Sequence, residues 1–198
     1  MKIIGITGSS GSGKTTLCAI LNKRKNIKII DADKVSRELV VPGNEYLKAI
    51  EDAFGKDILL EDGNLNRKKL ANKIYSDDTA RKTLNALTFR YVLEEINKRI
   101  KEINQDEIDY VIIDAPLLFE ADLDQACDKV VVLIADEDLK IERICDRDHI
   151  DAETARKRLK IQKDDEYYTS RADYVIKNGR NYDLEKEIDN ILIKEKGE

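Results

Sequence analysis

A glycine-rich stretch near the start of the chain has the residue types and spacing of a phosphate-binding loop. Residues 8–15, GSSGSGKT, match the pattern G-x-x-x-x-G-K-[ST] at every required position. Glycines let backbone N–H groups turn inward around an anion, and a helix that begins there adds its positive end. Lys14 can reach the β- and γ-phosphates of a nucleotide, and the Thr15 hydroxyl can bind Mg²⁺. We therefore predict that this stretch, the P-loop, binds a nucleoside triphosphate.

The sequence on either side of the P-loop favours this prediction over a chance glycine–serine turn. Residues 2–7 form a short β-branched run that is typical of a buried strand. Residues 14–24 carry apolar side chains at helical spacing, which predicts a helix directly after the loop. A strand before the loop and a helix after it are the context that a P-loop requires. The residues predicted to bind the nucleotide here are Gly8, Gly11, Ser12, Gly13, Lys14, Thr15 and Thr16.

Aspartates follow two further predicted strands, at the edge of the sheet where α/β proteins bind their ligands. A carboxylate at Asp31 or Asp33 could accept the proton of an attacking hydroxyl during phosphoryl transfer. Asp114 is a candidate magnesium ligand opposite Thr15. Each has a structural alternative, which is helix capping for Asp31 and Asp33 and a strand-end turn before Pro116 for Asp114.

Two arginines lie four residues apart in a predicted helix, on one helical face. At this spacing the guanidinium groups of Arg143 and Arg147 could converge on a phosphate during its transfer. The alternative is ordinary surface pairing with Glu142 or Asp146.

Strands and helices are predicted to alternate along the chain. Such an alternation implies right-handed crossovers and a parallel sheet with helices on both faces, an α/β fold. The long stretch without a strand between the second and third strands predicts a helical region beside the sheet. Strands are predicted at residues 2–7, 27–30, 110–113, 129–134 and 175–176. Helices are predicted at 14–24, 46–54, 67–74, 79–103, 137–146, 151–163 and 184–193.

Composition and charge argue against several classes of protein. The 198 residues include 35 basic and 40 acidic side chains, and a formal net charge of −5 gives no general attraction to nucleic acid or anionic membranes. Cys18, Cys127 and Cys145 show no CxxC spacing and are expected to be buried in a reducing compartment. Without a signal-peptide pattern or an apolar run of about 18 residues, we expect a cytoplasmic protein with no nucleic-acid or membrane partner. The oligomeric state stays open.

Among P-loop proteins, a compact small-molecule kinase is favoured. A guanine-specific GTPase would need an N-K-x-D motif, and the sequence has none. A mechanical ATPase usually needs a longer chain. A charged helical stretch between the fourth and fifth strands could form a lid that closes over two substrates. A nucleotide-binding regulatory module without an acceptor remains an alternative of a different class.

The sequence contains further motifs besides the P-loop. In order along the chain they read DADKVSRELVVPG, DGNLNRKKLANKIYSDD, LNALTF, VIIDAPLLFE, ERICDRD and RADYVIKNG. This series resembles the dephospho-CoA kinase family over nearly the whole chain. The resemblance implies ATP-dependent phosphorylation of the ribose 3′-hydroxyl of dephospho-CoA, the final step of coenzyme A biosynthesis. ATP, dephospho-CoA and Mg²⁺ are the implied ligands.

The resemblance also implies an architecture. It is a single-domain, three-layer P-loop kinase with a five-stranded parallel sheet, an inserted helical acceptor-binding region and a small helical lid. The nucleotide-binding core is expected at residues 1–31, 108–146 and 172–198. The acceptor-side helical region is expected at 32–107 and the lid at 147–171.

Roles for individual residues follow from the matching motif positions. Asp33 is the implied catalytic base, Lys14 and Arg143 are assigned to catalysis, and Thr15 with Asp114 to the metal. Arg147 and Asn178 are assigned to ATP, while Arg156 and Arg158 lie at lid arginine positions. For Leu117, Leu118 and Phe119 we favour packing in the hydrophobic core over contact with the acceptor. The implied acceptor-binding residues are Asp33, Arg67, Pro116, Leu117, Leu118, Phe119 and Glu120.

The chain also departs from the family pattern at several positions. Phe89 and Arg90 stand where the family often has His-Pro, and Ser9-Ser10 where Gly-Ile is usual. The stretch GSSGSGKTT also resembles uridine kinases. A nucleoside or nucleotide kinase therefore remains the alternative within the same superfamily.

Overall fold

A five-stranded parallel sheet forms the centre of the fold. The computed structural model describes residues 1–75 and 77–197. The strand order in the sheet is β2-β3-β1-β4-β5, with all strands parallel, which confirms the predicted α/β class. The strands are β1 (Lys2–Thr7), β2 (Ile27–Asp31), β3 (Tyr110–Asp114), β4 (Lys129–Ile134) and β5 (Tyr174–Lys177).

Helices connect the strands and occupy the long insertion after β2. The helix predicted at 151–163 is present over Ala152–Lys160, so it ends three residues earlier than predicted. A short helix that was not predicted follows it at Asp165–Thr169, where the Asp164 side chain accepts a hydrogen bond from Tyr167 N at 2.8 Å. In the described part of the chain, none of the helices is long and apolar enough to cross a membrane. The helices are α1 (Lys14–Leu21), α2 (Ala32–Leu39), α3 (Glu45–Phe54), α4 (Arg67–Tyr75), α5 (Asp78–Glu102), α6 (Glu137–Asp148), α7 (Ala152–Lys160), α8 (Asp165–Thr169) and α9 (Leu184–Lys196).

The strand register brings the predicted loop and the third-strand aspartate to one edge of the sheet. β1 lies between β3 and β4, and Ile6 of β1 is paired with Asp114 of β3. Because the strands are parallel, their carboxyl ends lie on the same side. The P-loop therefore begins next to the end of β3.

The centre of the sheet is buried on both faces, as parallel strands covered by helices require. Ile4 and Ile112 are completely buried in a hydrophobic cluster on one face, and Val111 and Ile113, which point to the opposite face, are completely buried as well. Gly5 allows close packing at this place, since a Cβ there would lie 2.9 Å from both Leu118 Cδ2 and Cys127 Sγ.

The chain divides into two compact units. The first consists of Met1–Ile30, Asn104–Phe119 and Leu123–Glu198, and contains the sheet. The second consists of Asp31–Ile103 and Glu120–Asp122, and has a hydrophobic cluster of its own around Tyr46, Ile50, Ile58 and Leu70. The segment 147–171 belongs to the first unit, and its function as a lid stays a prediction.

Cys127 is expected to resist alkylation in the folded protein. Burial raises the pKa of its thiol to about 12, and nearby acidic groups, Asp124 first, add to this effect. Because the thiolate is the reactive form, alkylation at pH 8 should be on the order of 10³-fold slower than in the unfolded chain. Timed iodoacetamide labelling followed by peptide mass spectrometry, with urea-unfolded protein as the control, measures this ratio. Equal rates in the two states would contradict the expected burial.

Candidate active site

The P-loop has a backbone conformation that only glycine adopts readily. Gly8, Gly11 and Gly13 have φ angles of 141°, 77° and 106°. Added Cβ atoms would also collide with the surroundings: at Gly8 with the Leu133 carbonyl oxygen, and at Gly13 with the Asn178 side-chain amide. The glycines of the motif are therefore required by local geometry.

Side chains from later in the chain donate hydrogen bonds to carbonyl groups of the P-loop. Arg143 donates to the Gly11 carbonyl at 3.0 Å and to the Asn178 carbonyl at 3.4 Å. The Asn178 amide nitrogen in turn donates to the Ser12 carbonyl at 2.8 Å. Since the N–H and C=O of one peptide point in opposite directions, the Gly13 N–H is directed away from Asn178. This orientation suits a donor to a phosphate oxygen.

The end of the P-loop carries positive charge and the first turn of a helix. Lys14 Nζ donates to the carbonyl of Gly8 and, at 3.2 Å, to the carbonyl of Ser9. Gly13 caps α1 in the left-handed conformation and has no side chain to bind the first N–H groups of the helix. Thr15 and Thr16 are exposed in that first turn. An anion is the natural partner for such a helix start.

The two arginines predicted to act on the phosphate have different partners. Arg143 contacts the P-loop carbonyl described above, whereas Arg147 is bound to Asp148, with Nε and Oδ1 2.7 Å apart. Hydrogen bonding from Arg147 lowers the pKa of the Asp148 carboxyl. Glu142, one of the two surface partners suggested for these arginines, binds Arg180 instead. The roles of Arg143 in catalysis and Arg147 in ATP binding stay predictions.

The predicted lid arginines lie on α7. Arg158 Nη1 donates to Asp148 Oδ2 at 2.6 Å, while Arg156 is exposed. The helix itself is anchored, because Ala155 is buried against Ile141 and Ile144 of α6.

The two aspartates after β2 have different local roles. Asp31 is the N-cap of α2, and its Oδ1 accepts a hydrogen bond from Lys34 N at 2.9 Å. Asp33 lies exposed in the first turn of the same helix. Among residues 1–75 and 77–197 no side-chain hydrogen bond to Asp33 is formed, so capping explains Asp31 but not Asp33. The Asp33 carboxylate, the predicted base, is therefore not engaged in capping the helix.

The residues suggested for magnesium suit a metal that is bound together with phosphate. Asp114 is half-buried at the end of β3, and Thr15 is exposed in the first turn of α1. Within the described ranges, no cluster of three or more histidine, cysteine, aspartate or glutamate side chains could hold a metal by itself. Mg²⁺ at phosphate sites usually takes one or two protein oxygens and completes its shell with phosphate and water. The hard oxygen donors of Thr15 and Asp114 fit this requirement.

The segment after β3 combines exposed and buried residues. Leu117 is 49% exposed, so core packing is wrong for it, whereas Leu118 is fully buried and Phe119 is 9% exposed, as core residues would be. Pro116 is exposed, and its carbonyl accepts a hydrogen bond from Thr7 Oγ1 at 3.3 Å. Phe119 contacts the ring of Tyr167 edge-on, with centroids 6.2 Å apart.

Three predicted acceptor-binding residues belong to the second compact unit, namely Asp33, Arg67 and Glu120. Arg67 is exposed at the start of α4. Glu120 has a buried Oε2 atom without a hydrogen-bond partner among the described residues. Their assignment to the acceptor stays a prediction.

Lys140 and Gln162 contact the P-loop but were not predicted from the sequence. Lys140 Nζ lies 3.4 Å from Ser9 Oγ, and Gln162 binds Ser10 through both ends of its amide. Lys140 lies three residues before Arg143, and helical spacing alone could therefore have placed it on the same face. For Gln162 the sequence offers no comparable spacing signal.

Comparison with known proteins supports the resemblance over nearly the whole chain. Residues 2–183 match the model of the dephospho-CoA kinase family. A dephospho-CoA kinase from Carboxydothermus hydrogenoformans is 35% identical over 94% of this chain and 90% of its own length. A second, from Oceanobacillus iheyensis, is 38% identical over 97% of this chain and 96% of its own.

Solved structures agree with the sequence matches. The dephospho-CoA kinase from Campylobacter jejuni superimposes with a TM-score of 0.70 at 27% identity, covering 97% of this chain and 96% of that one. A shikimate kinase from Acinetobacter baumannii shares the fold, with a TM-score of 0.56 at 18% identity over 99% of this chain and 95% of its own. The fold is thus that of a P-loop kinase. The chain belongs to the dephospho-CoA kinase family and is a kinase.

Proposed function

We propose that the chain transfers the γ-phosphoryl group of ATP to the ribose 3′-hydroxyl of dephospho-CoA. The products are CoA and ADP, and the reaction is the final step of coenzyme A biosynthesis. The observation that carries this proposal is the family match over residues 2–183. The P-loop adds chemical support, because its glycine conformations and helix start suit a phosphate chain.

ATP is held by backbone and side-chain donors of the first unit. The N–H groups of the P-loop and of the first turn of α1 bind the β- and γ-phosphates. Lys14 moves its ammonium group from the Gly8 and Ser9 carbonyls to the phosphate oxygens. Arg143 and Asn178 keep the loop carbonyls turned outward, which leaves the loop preorganised for the anion.

The transfer itself forms one bond and breaks one bond. The 3′-oxygen of the acceptor attacks the γ-phosphorus, and the bond from that phosphorus to the β,γ-bridging oxygen breaks, so that ADP leaves with the electron pair. Asp33 accepts the proton that the 3′-hydroxyl loses. Its exposed carboxylate, unused by the helix cap, suits this role.

Other predicted residues support binding and charge stabilisation. Thr15 and Asp114 would hold Mg²⁺, which when bound neutralises charge on the phosphate oxygens. Arg67 and the segment 116–120 bind the acceptor. Lid arginines of the segment 147–171 add positive charge near the phosphates, and a closed lid excludes water that would otherwise hydrolyse ATP.

A coupled ADP-release assay tests this proposal. The chain is incubated with MgATP and either dephospho-CoA, uridine or CMP in separate reactions, and the mass of each product is determined by mass spectrometry. We expect one phosphate to be added to dephospho-CoA and to neither alternative acceptor. Phosphorylation of uridine or CMP instead would contradict the proposal. ADP release without an acceptor, and no gain with dephospho-CoA, would point to a regulatory nucleotide-binding module.

A further inference from the structure

Gln162 makes two complementary hydrogen bonds to one residue of the P-loop. Its Oε1 accepts from the Ser10 backbone N–H at 2.9 Å, and its Nε2 donates to Ser10 Oγ at 2.8 Å. One amide thus satisfies both a backbone donor and a side-chain acceptor of the same residue. An amide that binds in both directions fixes the position and the orientation of its partner.

The turn that carries Gln162 is itself anchored. Gln162 follows Ile161, the C-cap of α7, and its backbone N–H donates to the Leu159 carbonyl at 3.0 Å. α7 is packed on α6 around Ala155. The side chain therefore reaches Ser10 from a fixed base.

A second side chain, that of Lys140, contacts Ser9, the residue before Ser10 in the P-loop. Lys140 of α6 is only 8% exposed, and its ammonium lies 3.4 Å from Ser9 Oγ and 2.9 Å from Asp165 Oδ1 at the start of α8. A buried ammonium needs such partners to be tolerated. Ser9 is thus bound by Lys140 of α6, and Ser10 by Gln162 of the turn between α7 and α8.

These contacts fix Ser9 and Ser10 of the P-loop to α6 and to the turn after α7. A loop that is ordered in advance loses less conformational entropy when a ligand binds, and its affinity is higher. We propose that Gln162 is a positioning residue for the ATP site and acts through Ser10. This inference rests on the proposed use of the P-loop for ATP. It assigns to the ATP site a residue of the segment 147–171 that acts on the nucleotide only through Ser10.

The effect is expected in ATP affinity rather than in turnover. Gln162→Ala should raise the Kd for ATP, and the KM for ATP, about tenfold, which is the order expected for the loss of two hydrogen bonds. The kcat at saturating ATP should change less than about threefold, because bound phosphates then hold the loop themselves. Titration calorimetry gives the Kd, and initial rates give KM and kcat. Ile161→Ala, at a neighbouring side chain that is 86% exposed, is the matched control and should match the unaltered chain.

A double-mutant cycle separates positioning from a general structural role. Ser10→Ala removes the Oγ acceptor but keeps the backbone N–H, and should raise the Kd for ATP by about two- to fivefold. In a chain that already carries Gln162→Ala, the same change should have no further effect. Equal effects of Ser10→Ala in both backgrounds would overturn the inference.

Other outcomes distinguish this inference from the proposed function. Equal ATP affinity of the unaltered and Gln162→Ala chains would overturn the inference alone. A fall in kcat with unchanged ATP affinity would overturn it as well. Absence of ATP binding by the unaltered chain would overturn the proposed function and the inference together.

Discussion

Asp33→Asn is expected to lower kcat with dephospho-CoA by about 10²–10⁴-fold, the usual contribution of a general base. The amide cannot accept the proton of the 3′-hydroxyl, although it has nearly the size of the carboxylate. The Kd for ATP should stay within about twofold, because Asp33 is not proposed to contact the nucleotide. Initial rates at saturating substrates and titration calorimetry with ATP measure the two quantities.

Asp31→Asn is the matched control for this substitution. Asp31 caps α2 through a side-chain oxygen that accepts from Lys34 N. Asparagine caps a helix about as well as aspartate, so kcat and stability should change little. Near-normal turnover of the Asp33→Asn chain would remove Asp33 from the mechanism. An equally large loss in Asp31→Asn would show that charge near the start of α2, rather than a specific base, matters.

Lys14→Ala is expected to lower kcat/KM for ATP by about 10²–10³-fold. The substitution removes the ammonium that compensates charge on the β- and γ-phosphates. Lys14→Arg should recover little of the loss, because a planar guanidinium cannot take the place of a compact point charge inside a tight loop. Steady-state kinetics with varied ATP and saturating dephospho-CoA measure the change.

Lys23→Ala provides the control for Lys14→Ala. Lys23 is exposed just beyond the end of α1, and its removal should leave kcat/KM within about twofold. Because Lys14 also donates to the Gly8 and Ser9 carbonyls, thermal unfolding of each variant should be compared. A Lys14→Ala chain that is folded and retains normal kcat/KM would contradict the proposed role of Lys14.

The strands were predictable from the sequence because each is a short apolar run that is buried between layers. The strands β2 and β3 each extend one residue further at their carboxyl ends than predicted, and β5 extends one residue further at both ends. Helix ends depend on capping, which is harder to anticipate. The helix predicted at 151–163 ends at Lys160, and the short helix α8, capped by Asp164, was not predicted.

The candidate site was predictable where its residues are adjacent in sequence. The P-loop is such a case, since its glycines, Lys14 and Thr15 all lie within one short motif. Contacts between distant parts of the chain were not predictable in this way. Spacing placed Arg143 and Arg147 on one helical face, but the neighbouring Asp148 carboxylate binds Arg147. Gln162 reaches Ser10 only because α7 is packed on α6, a tertiary arrangement that periodicity does not specify.

The most direct test of the proposed reaction follows the phosphoryl group to its acceptor atom. ATP labelled with ³²P at the γ-position is incubated with the chain, Mg²⁺ and either dephospho-CoA or its 3′-deoxyribose analogue. We predict that the label appears in CoA with the natural acceptor and that none is transferred to the 3′-deoxy analogue. Labelling of the 3′-deoxy analogue, or release of the label only as inorganic phosphate, would contradict transfer to the 3′-hydroxyl.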